Sequence, residues 1–318
     1  MQYIKNLPPS RLCRDVPSVF SEESSLKAPF YPSKLLLFGE HTVLQGSQAL
    51  ALPLWKFGGS WQMSEDKTLQ YNLADFIVYL KNLVEMGEIA LNTEGVSDML
   101  SKGLYFKSNI PSGYGVGSSG ALVAALYDVF CETKTNDLAK LKTILGKMES
   151  FFHGASSGFD PLICYIRKPI LIKKDTHLAV LEAVKNDISI FLLDTGISRK
   201  AETCIQIFAE KSQVPAFKDL VVNDLVPNID DAIAAFLQNQ PTLLFETVHK
   251  ISLFQYRFFP EAIPLAFKNV WLEGLSSNVY KLKLCGSGGG GFILGFCENL
   301  AAAQQMLLRS GFKIITIG

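Results

Sequence analysis

Residues 105–130 read YFKSNIPSGYGVGSSGALVAALYDVF, and the reading of this stretch decides the fold. A short β-type segment, YFKSNI, meets a Gly/Ser loop that runs directly into the helical pattern ALVAALYDVF. Gly113, Gly115 and Gly117 alternate through the loop. Glycine reaches backbone angles closed to other residues and puts no side chain in a ligand's way. Loop N–H groups then converge with the positive end of a helix starting near Ser119, and such a helix start holds anions without a basic side chain. Ser118 and Ser119 add hydroxyls, one suited to cap the helix and one to reach a metal. The loop is neither GxxxxGK[ST] nor a GxGxxG followed by a suitably placed acid, which disfavours P-loop and dinucleotide folds.

Three further segments bear chemistry. Glu149 and Asp160 flank a glycine-interrupted turn, ESFFHGASSGFD, with Glu149 near the end of a helix predicted over 137–152 and Asp160 opening an apolar run read as a strand. Phosphoryl transfer to an alcohol needs a Mg²⁺ carboxylate and a group that orients or deprotonates the hydroxyl; Glu149 suits the first role and Asp160 the second. Their plainer readings are a solvated helix residue and a turn acid before Pro161, and the residues alone leave Asp160 level between its two. Lys34 opens KLLLFGEH, a buried strand that turns at Gly39. A lysine there either snorkels or pairs with an acid and stabilises developing negative charge. Beyond it, His41 reads first as a hydrogen-bonded turn residue. The segment Cys285–Phe292, CGSGGGGF, joins two apolar strands with five glycines, more than a hairpin requires. The excess points to close backbone approach to a ligand or to the first glycine loop.

Element order divides the chain. Residues 1–30 read as a short edge strand or arm, and 73–87 as a helix stopped by Gly87. From Asp187 the order becomes strand (ISIFLLD), helices, hairpin (KLKLCGSGGGGFILGF), helix and strand, a split β-α-β with inserted helices. The expected class is α+β in two domains, 1–186 and 187–318.

With 318 residues, 48% hydrophobic and 19% charged, the chain has ordinary globular composition. Its formal net charge is zero, so no nucleic-acid partner is expected. Six scattered cysteines without a CxxC pair fit a reducing compartment. No apolar h-region opens the sequence and no apolar stretch is long enough to span a membrane, so the expected location is the cytoplasm. Phe254, Tyr256, Phe258 and Phe259 are expected to line a homodimer face or to form core.

Together and in this order, KLLLFGEHTVLQG, PSGYGVGSSGA and KLCGSGGGGF resemble the three motifs of the GHMP small-molecule kinase superfamily. Within it, GEHTVLQG and HGASSGFD are most similar to the mevalonate kinase branch. The resemblance implies a ribosomal-S5-like N-terminal domain, a ferredoxin-like C-terminal domain, and ATP- and Mg²⁺-dependent phosphorylation of a small-molecule alcohol, mevalonate first. It implies Asp160 as catalytic base with Lys34 beside it, and Ser118 and Glu149 on Mg²⁺. Pro111, Gly113, Gly115, Gly117, Ser118, Ser119 and Gly288 would meet the nucleotide, and Glu40, His41, Ser157 and Arg199 the substrate. The chain departs from the pattern at Ser156, where the family carries Pro, and at Ala201, where that branch carries Thr.

Overall fold

Tyr31–Phe38, with seven of its eight residues buried, forms β1, and the fifteen residues Ala49–Met63 form β2 beside it. The computed structural model describes residues 28–66, 68, 73–182, 184–198 and 201–317. The chain divides into two compact units. One takes the described residues of Met1–Lys34 with Trp55–Ile110 and Gly117–Arg167; the other takes Leu35–Leu54, Pro111–Val116 and Lys168–Gly318. The single cut expected at residue 186 follows element order, whereas these units are discontinuous because β1 and β2 each run through both.

In the first unit the far half of β2 pairs antiparallel with β3 (Leu104–Ser108), Gly59 opposite Ser108 and Met63 opposite Leu104. Helices α1 (Ala74–Glu85), α2 (Thr93–Ser101), α3 (Ser118–Phe130), α4 (Leu138–His153) and α5 (Phe159–Ile166) complete it. Helix starts follow the sequence: Asn92 Oδ1 accepts from Gly95 N–H at 2.7 Å to cap α2, and Asp137 Oδ1 from Ala139 N–H at 2.9 Å to cap α4. Apolar α3 is central, its Ala121, Val123–Tyr127 and Phe130 all buried, with Trp61 Nε1 donating to Ala125 O. At its far end Asp128 is a junction. Its Oδ2 accepts from Tyr31 Oη at 2.9 Å and Arg167 Nη2 at 3.2 Å, and its Oδ1 accepts from Lys134 Nζ at 2.9 Å. The Arg167 guanidinium also lies 4.6 Å over the Tyr31 ring.

The run FDPLICYI corrects the sequence reading. It is the helix α5, not a strand, with Phe159, Pro161, Leu162, Ile163 and Cys164 all buried. The run is only eight residues long and mostly apolar, with Asp160, Tyr165 and Ile166 partly exposed, too short for its period to separate strand from helix in sequence. Pro161 sits in the first turn, where its missing N–H has no helical partner to lose. The expected element within residues 1–27 lies outside the described residues.

In the second unit the near half of β2 pairs with β4 (Ile170–Ile172), Ala49 opposite Ile172, and β4 with β5 (Leu178–Val180). A second sheet runs β7-β8-β6-β9, antiparallel throughout, from β6 (Ser189–Asp194), β7 (Lys281–Leu284), β8 (Phe292–Cys297) and β9 (Ile314–Thr316). Helices α6 (Ala201–Lys211), α7 (Pro215–Leu220), α8 (Val226–Leu237), α9 (Pro241–Phe258) and α10 (Lys268–Ser276) connect β6 to β7, and α11 (Leu300–Arg309) connects β8 to β9. Strands β6 and β7 thus flank β8, the split β-α-β arrangement read from element order. Phe254 and Phe259 are buried core residues. Cys131, Cys164, Cys204, Cys285 and Cys297 are free and buried, as small hydrophobes are. Among the described residues no helix is long and apolar enough to cross a membrane.

Candidate active site

Within the first unit, Lys34 points inward from β1 and Asp160 comes from the first turn of α5; Nζ and Oδ2 lie 3.0 Å apart. Lys34 is nearly buried, at 9% side-chain exposure, and Asp160 keeps 34%. The pairing reading of Lys34 therefore holds over snorkelling. The Asp160 carboxylate thus lies against the Lys34 ammonium and in the first turn of α5, where the helix dipole favours negative charge. Glycines make the approach possible. A methyl group at Gly120 would lie 3.0 Å from the Asp160 carbonyl carbon, and one at Gly146 would lie 3.0 Å from Ser156 O. Helices α3, α4 and α5 meet only because these positions carry no side chain.

Glu149 is buried on α4, at 3% exposure, beside this pair. Ser119 Oγ donates to its Oε1 at 2.9 Å and Ser156 Oγ to its Oε2 at 2.5 Å. Burial first, and then the charge of Asp160, push the Glu149 carboxyl up to about 7, against the two hydroxyl donors and Lys34. Ser156 thus supplies one of the two donors. His153, one helical turn after Glu149, has Nε2 3.0 Å from Ser119 Oγ. With the Ser119 proton directed at Glu149, the imidazole N–H donates to the Ser119 oxygen. The sequence reading assigned His153 no role; the signal was its i+4 spacing from Glu149, which puts both on one helix face. Ser118, expected to share a metal with Glu149, is exposed, and the hydroxyl on Glu149 belongs to Ser119. Ser157 is exposed, its Oγ accepting from Phe159 N–H at 3.3 Å at the start of α5.

Gly117 caps α3 in the left-handed region, φ 83°, and makes no side-chain cap bond. The first N–H groups of α3 therefore lack intrahelical partners. A methyl group at Gly117 would lie 2.8 Å from Lys34 Cγ, so glycine is required both for the backbone angle and for the loop's end to rest on Lys34. Among the described residues no three His, Cys, Asp or Glu side chains gather as a metal cage. Mg²⁺ is commonly held by one or two carboxylates with substrate phosphates and waters, and Glu149 with the Ser119 hydroxyl fits that donor set.

The second unit holds the remaining expected residues. Pro111 is half-buried, and Gly113 and Gly115 both take positive φ, 75° and 66°. A methyl group at Gly291, φ 67°, would lie 2.7 Å from Tyr114 O, so the two glycine segments meet backbone to backbone, as the surplus of glycines implied. Gly288, φ 83°, is required for packing, since its methyl group would lie 2.8 Å from Ala262 Cβ. Glu40 forms a buried ion pair with Lys283 of β7, whose ammonium also donates to Leu284 O at 2.7 Å. Lys283 is fully buried and was missed; its signal was a lysine inside the apolar strand KLKL, which needs a partner. The His41 ring stacks on Phe208 at 4.5 Å and meets Phe259 edge-on at 5.3 Å, and its Nε2 lies 3.2 Å from Ser287 O, to which it donates. Arg199 lies outside the described residues.

Residues 79–168 match a family model, that of the GHMP kinases N terminal domain. That segment is similar to a GHMP kinase N-terminal domain. Three curated relatives are each named mevalonate kinase. A mevalonate kinase of Pyrococcus abyssi is 30% identical over 167 residues, 42% of this chain and 48% of that protein. The mevalonate kinase of Thermococcus onnurineus is 29% identical and also 48% covered, so the chain spans about half the length of these two relatives. That of Pyrococcus furiosus is 22% identical over 334 residues, 90% of this chain and 94% of its own. Solved structures share the GHMP kinase fold. L. major mevalonate kinase in complex with R-mevalonate matches with a TM-score of 0.60 at 15% identity, over 91% of this chain and 94% of that one. Lactococcus lactis galactokinase complexed with galactose matches with 0.63 at 17%, over 91% and 92%. These two likenesses show the fold alone.

Proposed function

We propose that this protein is an ATP-dependent small-molecule kinase whose acceptor is an alcohol, mevalonate, acting in the cytoplasm. The Lys34–Asp160 ion pair, with buried Glu149 alongside, is the observation that carries the reading. In this reading the alcohol oxygen attacks the γ-phosphorus of ATP in line, its proton passes to Asp160, and ADP leaves. Lys34 pairs with Asp160 before transfer and stabilises the negative charge that grows on the alcohol oxygen. Glu149 and the Ser119 hydroxyl are the residues that would hold Mg²⁺, which when bound neutralises phosphate charge. Ser118 and the loop glycines Gly113, Gly115 and Gly117 would offer their donors to the phosphates. Glu40, His41, Ser157 and Arg199 remain the proposed substrate residues, and mevalonate is preferred because the curated relatives named above are mevalonate kinases.

The test is ADP release by the purified protein with Mg-ATP against mevalonate, phosphomevalonate, galactose and homoserine. Turnover with mevalonate alone supports the reading. Turnover with another alcohol keeps the mechanism and overturns the substrate, and silence throughout overturns the activity.

A further inference from the structure

Tyr114 stands in the middle of the first glycine loop, between Gly113 and Gly115, where a loop shaped only for close approach would carry a small residue. Its side chain is engaged at both ends. The ring packs edge-on against Phe292 with centroids 4.9 Å apart, and the hydroxyl donates to Asp194 Oδ1 at 2.8 Å. The same Asp194 oxygen accepts from Gly196 N–H at 2.8 Å and so shapes the turn that follows β6. That turn grips Gly291 twice: Thr195 N–H and Oγ1 donate to Gly291 O at 3.0 and 2.7 Å, and Gly291 N–H donates to Ile197 O at 2.7 Å. Gly291 in turn lies against the Tyr114 backbone. On the other side of Tyr114, a methyl group at Gly113 would overlap Ser198 Oγ. The loop is thus held from three directions by one turn, Asp194–Ser198, and Tyr114 supplies its single side-chain hydrogen bond to that turn among the described residues.

We propose that Tyr114 is a positioning residue for nucleotide: its bond to Asp194 latches the glycine loop onto the turn Asp194–Ser198 and so sets the loop's N–H groups for the phosphates. The proposal rests on the reading that this loop receives the phosphates of ATP. The latch also ties the loop to the turn that precedes α6 in the chain. Without the latch the glycines, each with access to both halves of backbone space, are free to leave the phosphate-ready conformation, and binding falls by the fraction of time they do.

The test uses the full-length protein with Tyr114→Phe, Asp194→Ala and their double variant. Titration calorimetry with a non-hydrolysable ATP analogue reads nucleotide affinity, and steady-state kinetics read KM for ATP and for the alcohol separately. Tyr114→Phe is expected to weaken nucleotide binding about three- to tenfold, Asp194→Ala at least as much because it also takes the acceptor from Gly196 N–H, and the double variant no more than Asp194→Ala, because the Tyr114–Asp194 bond is already gone. Asp194→Asn, which keeps an acceptor oxygen, is expected to recover most of the loss. The KM for the alcohol is expected to stay within twofold. Unchanged nucleotide affinity in Tyr114→Phe, or losses that add in the double variant, overturns the latch. Hydrogen exchange of the amides of residues 112–116 reads it independently of nucleotide, with at least tenfold faster exchange expected in Tyr114→Phe. If the wild type binds no nucleotide, the reading of the loop as a phosphate site fails. The latch then stands or falls on exchange alone, and equal exchange rates overturn it.

Discussion

Replacing Asp128 by Asn removes one charge and keeps the shape. In the folded protein that carboxylate joins three partners, Tyr31, Lys134 and Arg167, at 2.9, 2.9 and 3.2 Å, and its side chain is only 19% exposed. Taking one partner from a buried ion pair costs about 3–5 kcal/mol. The residual exposure and the acceptor oxygen kept by Asn reduce this, to about 2–3 kcal/mol, a substantial part of a typical folding stability of about 5–15 kcal/mol. The control is Asp98→Asn. Asp98 meets Lys102 at 2.7 Å, but both side chains are more than half exposed, and its loss is expected to cost no more than about 0.5 kcal/mol. Urea unfolding at pH 7 checks both, read as a shift in midpoint at constant slope. The pH dependence carries the same information. Burial raises the Asp128 carboxyl, but the charge of Lys134, hydrogen bonds from Lys134 and Tyr31, and the charge of Arg167 outweigh it and hold the group below the usual carboxylate range. Its stabilisation is therefore complete above the unfolded value of about 3.9 and is lost as pH falls through the lower folded value. Asp128→Asn should remove that part of the acid limb. A loss below about 0.5 kcal/mol, equal to the Asp98 control, would refute the argument that burial rather than distance decides the worth of these pairs.

Two further outcomes concern the site. Asp160→Asn is expected to lower kcat at least a hundredfold while a non-hydrolysable ATP analogue still binds within about threefold of wild type, as calorimetry would show; retained turnover removes Asp160 from proton transfer. Glu149→Gln is expected to stabilise metal-free protein at pH 8 and to lose that advantage by pH 5. The raised carboxyl, at about 7, binds its proton more tightly folded than unfolded, so wild type loses stability as pH rises from the unfolded value of about 4.3 to 7, and Gln does not. Thermal midpoints across that range, taken with chelator present, check it; equal midpoints at pH 8 would sink the assignment of burial as the cause.

Features written in neighbouring residues were legible in the sequence. The glycine loop running into α3 and the β7–β8 hairpin each follow from signals in neighbouring residues, and the split β-α-β order is a succession of such local signals from Ser189 to Thr316. The residues alone picked out Lys34 and Asp160 singly and only the resemblance set them side by side, because their pairing requires β1 and α5 to meet. Helix α5 was misread because an apolar run of eight residues is too short for its period to separate helix from strand. The choice between Ser118 and Ser119 depends on helix phase: once Gly117 is the cap, the second serine faces Glu149 and the first faces solvent. Lys283 escaped notice because its partner Glu40 lies 243 residues away, beyond any local pattern.

That separation bears on how the protein is made. At about 5–20 residues per second, the ribosome needs about 12–50 s to travel from Glu40 to Lys283. Residues 35–54 leave it early, yet they belong to a unit otherwise formed by 111–116 and 168–318, so the nascent segment waits with apolar Leu35, Leu37, Phe38, Leu50 and Leu54 unburied. The remainder of the N-terminal half is complete once Arg167 has emerged. Co-translational folding is thus predisposed to finish one body while a hydrophobic stretch of β1 and β2 stays exposed to chaperones or to neighbouring chains, and slower elongation between codons 168 and 283 prolongs that exposure.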